Sequence, residues 1–256
     1  MIPISDQNDT LRTPLANWGI IGAIAASWLL IQGAGLNALQ LAASVCNYGL
    51  VPGELTGLAR PGLAVPLGHG LACVVDNEAV NWLTPGLSMF LHGGWAHLLG
   101  NLLFLHVFGD NVEDSMGRGR YVGFYLVCGL VAAAAHTALN AGSPVPTVGA
   151  SGAISGVLGA YLVMYPTVRV RMLFFVFVVP VRAWLVLLYW FGLQLLSGFT
   201  QLGPMRNEVS SGVAVWAHIG GFVTGVVLVR FFVDRTLVAR RSRASPPVSA
   251  SRPLSA

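Results

Sequence analysis

The chain has 256 residues, and its 14 basic and 10 acidic side chains make only 9% of it charged. An ordinary soluble domain carries about 25%. With 55% hydrophobic residues, this excludes a disordered chain, a nucleic-acid-binding module and an ordinary cytosolic enzyme, and leaves a polytopic membrane protein. All 14 basic residues are Arg, and the formal net charge of +4 does not by itself require an anionic partner.

Taken in chain order, residues 1–17 form an N-terminal segment carrying Asp6, Asp9 and Arg12. It lacks a basic n-region and a cleavage site, so the hydrophobic run that follows does not read as a removable leader. A membrane domain over 18–233 then holds six apolar stretches of spanning character. The first runs from Trp18 to about Leu39. A loop over about 40–94 follows, in which Cys46 and Cys73 can pair if that compartment is oxidising. The second stretch is Trp95–Val112, the third Tyr121–Leu139, and the fourth starts at Ser151 and stops before Pro166. The run Met172–Val181 is apolar but interrupted by Pro180 and followed by Arg182, and reads as a membrane-surface loop feeding the fifth stretch, Ala183–Thr200. The sixth is Val213–Val233. The tail, 234–256, is rich in Arg, Ser and Pro. It reads as disordered and able to touch anionic lipid through Arg240, Arg241 and Arg243. The expected fold class is an all-α, six-helix membrane bundle.

Arginine placement sets the orientation. With the N-terminus cytoplasmic, all of the arginines except Arg60 and Arg206 fall inside, and the opposite orientation reverses this. Both termini are therefore expected in the cytoplasm, with helices two, four and six entering from the outer face. The fourth helix is short, roughly 22 Å at 1.5 Å per residue against a hydrocarbon core of about 30 Å. The polar, Gly/Pro-rich stretch 140–149 before it is tolerated at membrane depth only if it is buried in protein or lines water. Ser151 is expected at the floor of a wet cavity.

Polar groups inside spans are costly and mark sites. Here they are His97, Asn101, His106, His136, Ser151, Ser155 and His218. Ser151 lies in Gly149-Ala150-Ser151-Gly152, at a helix N-terminus whose free N–H groups favour an oxyanion. Taken alone, it also reads as a helix cap before a packing face of Gly152, Gly156 and Ala160. Ser155 reads as a packing or hydrogen-bonding residue. His218 stands beside Gly221 and Gly225, which mark a close helix contact, at a depth like that of Ser151. Together Ser151 and His218 make the smallest nucleophile-and-base set. His97 and Asn101, one turn apart, share a face and can donate to an oxyanion or act as an interhelical clamp. His92 braces the preceding loop, and His106 and His136 read as structural. The acids lie outside the outer halves of the spans, so the residues support a dyad without a carboxylate. There is no H-E-x-x-H, and the cysteine spacing fits no metal, so no metal or cofactor is expected.

Four stretches resemble the rhomboid family of intramembrane serine proteases: His92-Gly93-Gly94-Trp95-Ala96-His97 with Asn101; Phe108 to Asp114 with Gly119-Arg120-Tyr121; Gly149-Ala150-Ser151-Gly152; and Ala217-His218 with Gly221 and Gly225. The resemblance implies cleavage of single-span or other membrane-anchored proteins in or beside their membrane segments. It assigns Ser151 as nucleophile, His218 as base, and His97, Asn101 and the Ser151 N–H as oxyanion donors. It also implies a gate at Ala183–Thr200 and Gln201–Gly212. With the orientation that the arginines set, the expected location is a bacterial cytoplasmic membrane with the site open to the periplasmic side. Oligomeric state is left open. The chain departs from the family at Trp82-Leu83, where many members have Trp-Arg. It departs also at Ser155, where some carry a Tyr stacked on the catalytic His; His218 must then be oriented another way. A catalytically silent binder of membrane segments and a channel or transporter are the competing readings. The absence of repeats and of embedded acids weighs against a transporter.

Overall fold

The computed structural model describes residues 2–76, 79–202 and 214–244. The start of the sixth stretch at Val213, the gate segment from residue 203 onward with Arg206 and Glu208, and the tail from 245 lie outside the described residues.

Strand β1 is Ile2–Asp6. Helix α1, Leu15–Ala26, continues through a π-helical turn at Ser27–Ile31. It ends well before the expected Leu39, because Gly33, Ala34 and Gly35 all take positive φ, 59°, 54° and 67°. Helix α2, Ala38–Tyr48, begins afresh, with the Asn37 side chain accepting from the Leu39 and Gln40 N–H groups. Asx caps of this kind satisfy orphan donors at a helix start. Helix α3 (Pro52–Thr56), the antiparallel hairpin β2 (Ala64–Gly68) and β3 (Leu71–Val74), and helix α4 (Thr84–Leu87) fill the long loop. A disulfide joins Cys46 on α2 to Cys73 on β3.

The bundle proper is α5 (Trp95–Met116), α6 (Arg118–Leu139), α7 (Ser151–Met164), α8 (Ala183–Leu202) and α9 (Val215–Phe232). By length and composition α6 and α9 can each cross a bilayer, while Leu15–Ile31, Ser151–Met164 and Ala183–Phe199 are shorter apolar helices. Helix α7 is the axis, buried at every position from Gly152 to Tyr161. It packs against α5, α6 and α9. Two glycines on α9 make the α7–α9 contact: a Cβ on Gly221 would collide with the carbonyl oxygen of Gly152, and one on Gly225 with that of Gly156. Small residues let backbones approach this closely where no hydrophobic driving force separates helix from lipid.

The structure refines the expected bundle at three places. The bundle is helical, as expected, but short strands stand beside it: besides the β2–β3 hairpin, Arg169–Phe174 (β4) and Phe177–Arg182 (β5) pair antiparallel, and β1 adds to β4, giving the sheet order β1-β4-β5. The run expected as a surface loop is therefore this hairpin, with Val170 and Met172 turned inward and Phe175 at its tip 98% exposed. Pro180 sits in β5, the edge strand, where its missing N–H costs no ladder bond. The expected disordered tail is helical over its first part, as α10 (Arg235–Ala244). Arg241 points inward, donating to Asp114 at 2.7 Å and to Asn111. Arg12 reaches the same Asp114 carboxylate at 3.2 Å, and Glu113 accepts from the Ala16 and Asn17 N–H groups at the start of α1. The acids at the end of α5 thus bind both terminal segments to the end of the bundle remote from Ser151.

Candidate active site

The segment before α7 is shaped by bonds to its surroundings. Thr147 exchanges both backbone hydrogen bonds with Leu50, 2.8 and 2.9 Å, and its hydroxyl lies 3.1 Å from His136 Nε2. His136 therefore braces this loop. The Gly149 N–H donates to the Ser88 carbonyl at 2.9 Å. Gly149 has φ +133°, and a Cβ there would sit 2.7 Å from His97 Nε2 and 3.5 Å from Ser151 Oγ. Glycine is thus needed twice over, for the backbone angle and for the space between these two side chains. Ser151 then opens α7.

The structure brings the two candidate catalytic residues together. Ser151 Oγ lies 2.7 Å from His218 Nε2. His218 sits in the first turn of α9, at a height set by the glycine contacts of α7 and α9. Its other ring nitrogen, Nδ1, is 3.1 Å from Oε1 of Gln194 on α8. The Trp190 ring, one turn earlier on α8, leans over the imidazole with centroids 5.9 Å apart and 39° between planes. Ser155 Oγ donates to the Ser151 carbonyl at 2.6 Å, a hydrogen-bonding role one turn along the helix.

On α5, His97 and Asn101 line the same 630 Å³ cavity as Ser151, Trp190 and His218. The Gly93 N–H approaches His97 Nδ1 at 3.5 Å, which leaves Nε2 on the side of Gly149. Asn101 Nδ2 is 2.9 Å from His92 Nε2. His92 is wholly buried. Its N–H donates to Gln32 Oε1 and its carbonyl accepts from Gln32 Nε2, both at 2.8 Å. Burial, and then the neighbouring His97, push the His92 pKa down to about 3, so its ring stays neutral and can accept from Asn101. One amide hydrogen of Asn101 is used in this way and the other remains for the cavity. His106 is exposed and stands apart from the cavity.

Sequence reasoning missed Gln194, Trp190 and Gln32. Gln194 was findable, being an uncharged polar residue in an apolar helical run, where a partner is needed. Gln32, inside the first apolar stretch, was findable by the same signal; Trp190 carries none of its own, and only the approach of α8 to α9 gives it a role.

The chain matches the Rhomboid domain over residues 76–235. It is 42% identical over 89 residues to Rhomboid protease GluP of Bacillus subtilis (strain 168), covering 35% of this chain and 16% of that protein. It is 29% identical over 160 residues to Rhomboid protein 1, mitochondrial, of Saccharomyces cerevisiae, covering 61% of this chain and 43% of that protein. With RHOMBOID-like protein 4 of Arabidopsis thaliana it shares 33% over 146 residues, 54% of this chain and 31% of the relative. In each case the chain spans less than half of the relative's own length. The chain belongs to the rhomboid family and has its helical, polytopic membrane fold.

Proposed function

We propose that the chain is an intramembrane serine endopeptidase that hydrolyses peptide bonds in or next to membrane segments of single-span or other membrane-anchored proteins. The observation that carries this is the 2.7 Å contact of Ser151 Oγ with His218 Nε2, set in a cavity that His97 and Asn101 also line. Six stretches cross the bilayer, with α1, α5, α6, α7, α8 and α9 as their helical parts. Both termini face the cytoplasm of a bacterium, and the cavity opens to the outer side of the cytoplasmic membrane. The asymmetry of arginine placement supports this orientation.

In the reaction, Ser151 Oγ attacks a substrate carbonyl carbon while its proton passes to His218 Nε2. The tetrahedral oxyanion accepts from His97 Nε2–H, the free Asn101 amide hydrogen and the Ser151 N–H. Collapse breaks the C–N bond, and the departing amine takes the proton from His218. Water, deprotonated by His218, then hydrolyses the acyl ester and restores Ser151. The scissile carbonyl must be freed from its own helix, so helix-breaking residues in the substrate favour cleavage.

The test is labelling with a fluorophosphonate in detergent, together with co-expression of a panel of single-span proteins. Labelling and cleavage by wild type and by neither Ser151→Ala nor His218→Ala support the dyad. Equal labelling of wild type and Ser151→Ala, or cleavage retained in His218→Ala, overturns it.

A further inference from the structure

A serine nucleophile needs its base in one tautomer: Nε2 must be bare to take the Ser151 proton, so Nδ1 must carry the hydrogen. Something must accept that Nδ1–H. Among the described residues no carboxylate lines the cavity, and position 155 is a serine already bonded to the Ser151 carbonyl. The group in place is the side-chain amide of Gln194, its Oε1 3.1 Å from His218 Nδ1.

We propose that Gln194 is the positioning residue of His218, accepting the Nδ1–H and so presenting a bare Nε2 to Ser151. This rests on the reading of Ser151 and His218 as a dyad. Gln194 stands among Leu193, Leu195 and Leu196 on α8, where an unbonded amide would cost about 1–3 kcal/mol. Its partner there is the ring nitrogen whose protonation state decides catalysis. Trp190 packs against the same imidazole, so two successive turns of α8 fix the ring, one by an acceptor and one by a face. The other titratable groups acting on His218 are His97 and His136. Neither occupies the Nδ1 position, because His97 has Gly93 and His136 has Thr147 as neighbours. A neutral amide, unlike a carboxylate, orients the imidazole without adding a charge to it.

The experiment uses the full chain in detergent and compares wild type with Gln194→Leu and Gln194→Glu. Two readouts are taken: steady-state cleavage of a membrane-anchored substrate, and 15N NMR of the His218 imidazole, assigned with His218→Ala. Gln194→Leu is expected to lower kcat about 10- to 100-fold, part of what a general base contributes, with KM within about twofold. Its His218 should pass from the single Nδ1–H tautomer to a mixture. Gln194→Glu, which restores an acceptor, should keep kcat within about fivefold of wild type. An unchanged kcat together with an Nδ1-protonated His218 in Gln194→Leu overturns the proposal. If wild type fails to label at Ser151, the dyad reading falls, while the tautomer comparison still decides whether Gln194 holds His218. Should Gln194→Leu not fold, Gln194→Asn, one methylene too short to reach, replaces it: a mixed tautomer supports the proposal and a single one overturns it.

Discussion

Gly221 on α9 rests its Cα against the carbonyl oxygen of Gly152 on α7, the residue next to Ser151. The separation of these two backbones sets the height and distance of His218, three residues before Gly221, relative to the serine. A methyl group at Gly221 has backbone, not a yielding side chain, in its way. Gly221→Ala should therefore destabilise the bundle by about 1–3 kcal/mol. It should also slow fluorophosphonate labelling of Ser151 more than about tenfold, since a displacement near 1 Å can cost about a hundredfold. Gly22→Ala, on α1 with nothing within 4 Å of its added Cβ, is the control and should label like wild type. Equal labelling of the two variants would show that the glycine contact does not set the dyad.

Much of the bundle was legible because helices hold their signals locally. The glycines beside Ser151 and His218 make the helix contacts, the fourth helix is short, His97 and Asn101 line one cavity, and Ser151 and His218 meet at 2.7 Å. The rest depended on partners far away in sequence. The alternation in Arg169-Val170-Arg171-Met172 suits a strand, but the strand β1 that completes its sheet lies far away in sequence, in the N-terminal segment. Arg241 read as a tail charge able to touch anionic lipid, yet its carboxylate partner is 127 residues earlier. Helix one was drawn too long because hydrophobicity continues past Ile31 while the backbone does not, turning at Gly33, Ala34 and Gly35.

His92 carries a pH prediction. Its folded pKa of about 3 lies below the ordinary 6.5, chiefly through burial, so between these values the unfolded chain binds a proton that the folded one does not. Stability from this group is complete above pH 6.5 and falls as the pH drops through that window, by at most about 1.4 kcal/mol per unit. His92→Gln, which keeps an acceptor for Asn101 and cannot titrate, should flatten the melting temperature between about pH 6.5 and 4 relative to wild type. His92→Ala should instead cost kcat about tenfold by releasing Asn101. Parallel pH profiles for wild type and His92→Gln would refute the assignment.

The disulfide concerns the loop rather than the chemistry. Cys46 and Cys73 are 27 residues apart and tie α2 to the β2–β3 hairpin, away from the cavity that holds Ser151. Closing a loop of this length stabilises by about 2–4 kcal/mol. A Cys46→Ser, Cys73→Ser double variant should melt lower and be cut faster by protease between residues 49 and 75, while labelling of Ser151 stays within about twofold of wild type. Loss of labelling in protein that remains folded would mean that the loop supports the site directly.

The contact of Arg241 with Asp114 makes the last prediction. The two side chains are 9% and 3% exposed and 2.7 Å apart, so the pair is largely desolvated and removal of one partner leaves a charge without full compensation. Arg12, at 3.2 Å from the same carboxylate and 41% exposed, can make up only part of the loss. Arg241→Gln should cost about 3 kcal/mol, the low end for a broken buried pair because Arg12 remains. It should also let trypsin cut after Arg235 and Arg240 sooner. Asp114→Asn in the same background should add little, because both changes act on one interaction, and a double-mutant cycle measures this coupling. Both lie at the end of the bundle remote from Ser151, so kcat in still-folded protein should hold within about twofold. Additive losses from the two substitutions would show that α10 is held by something other than this pair.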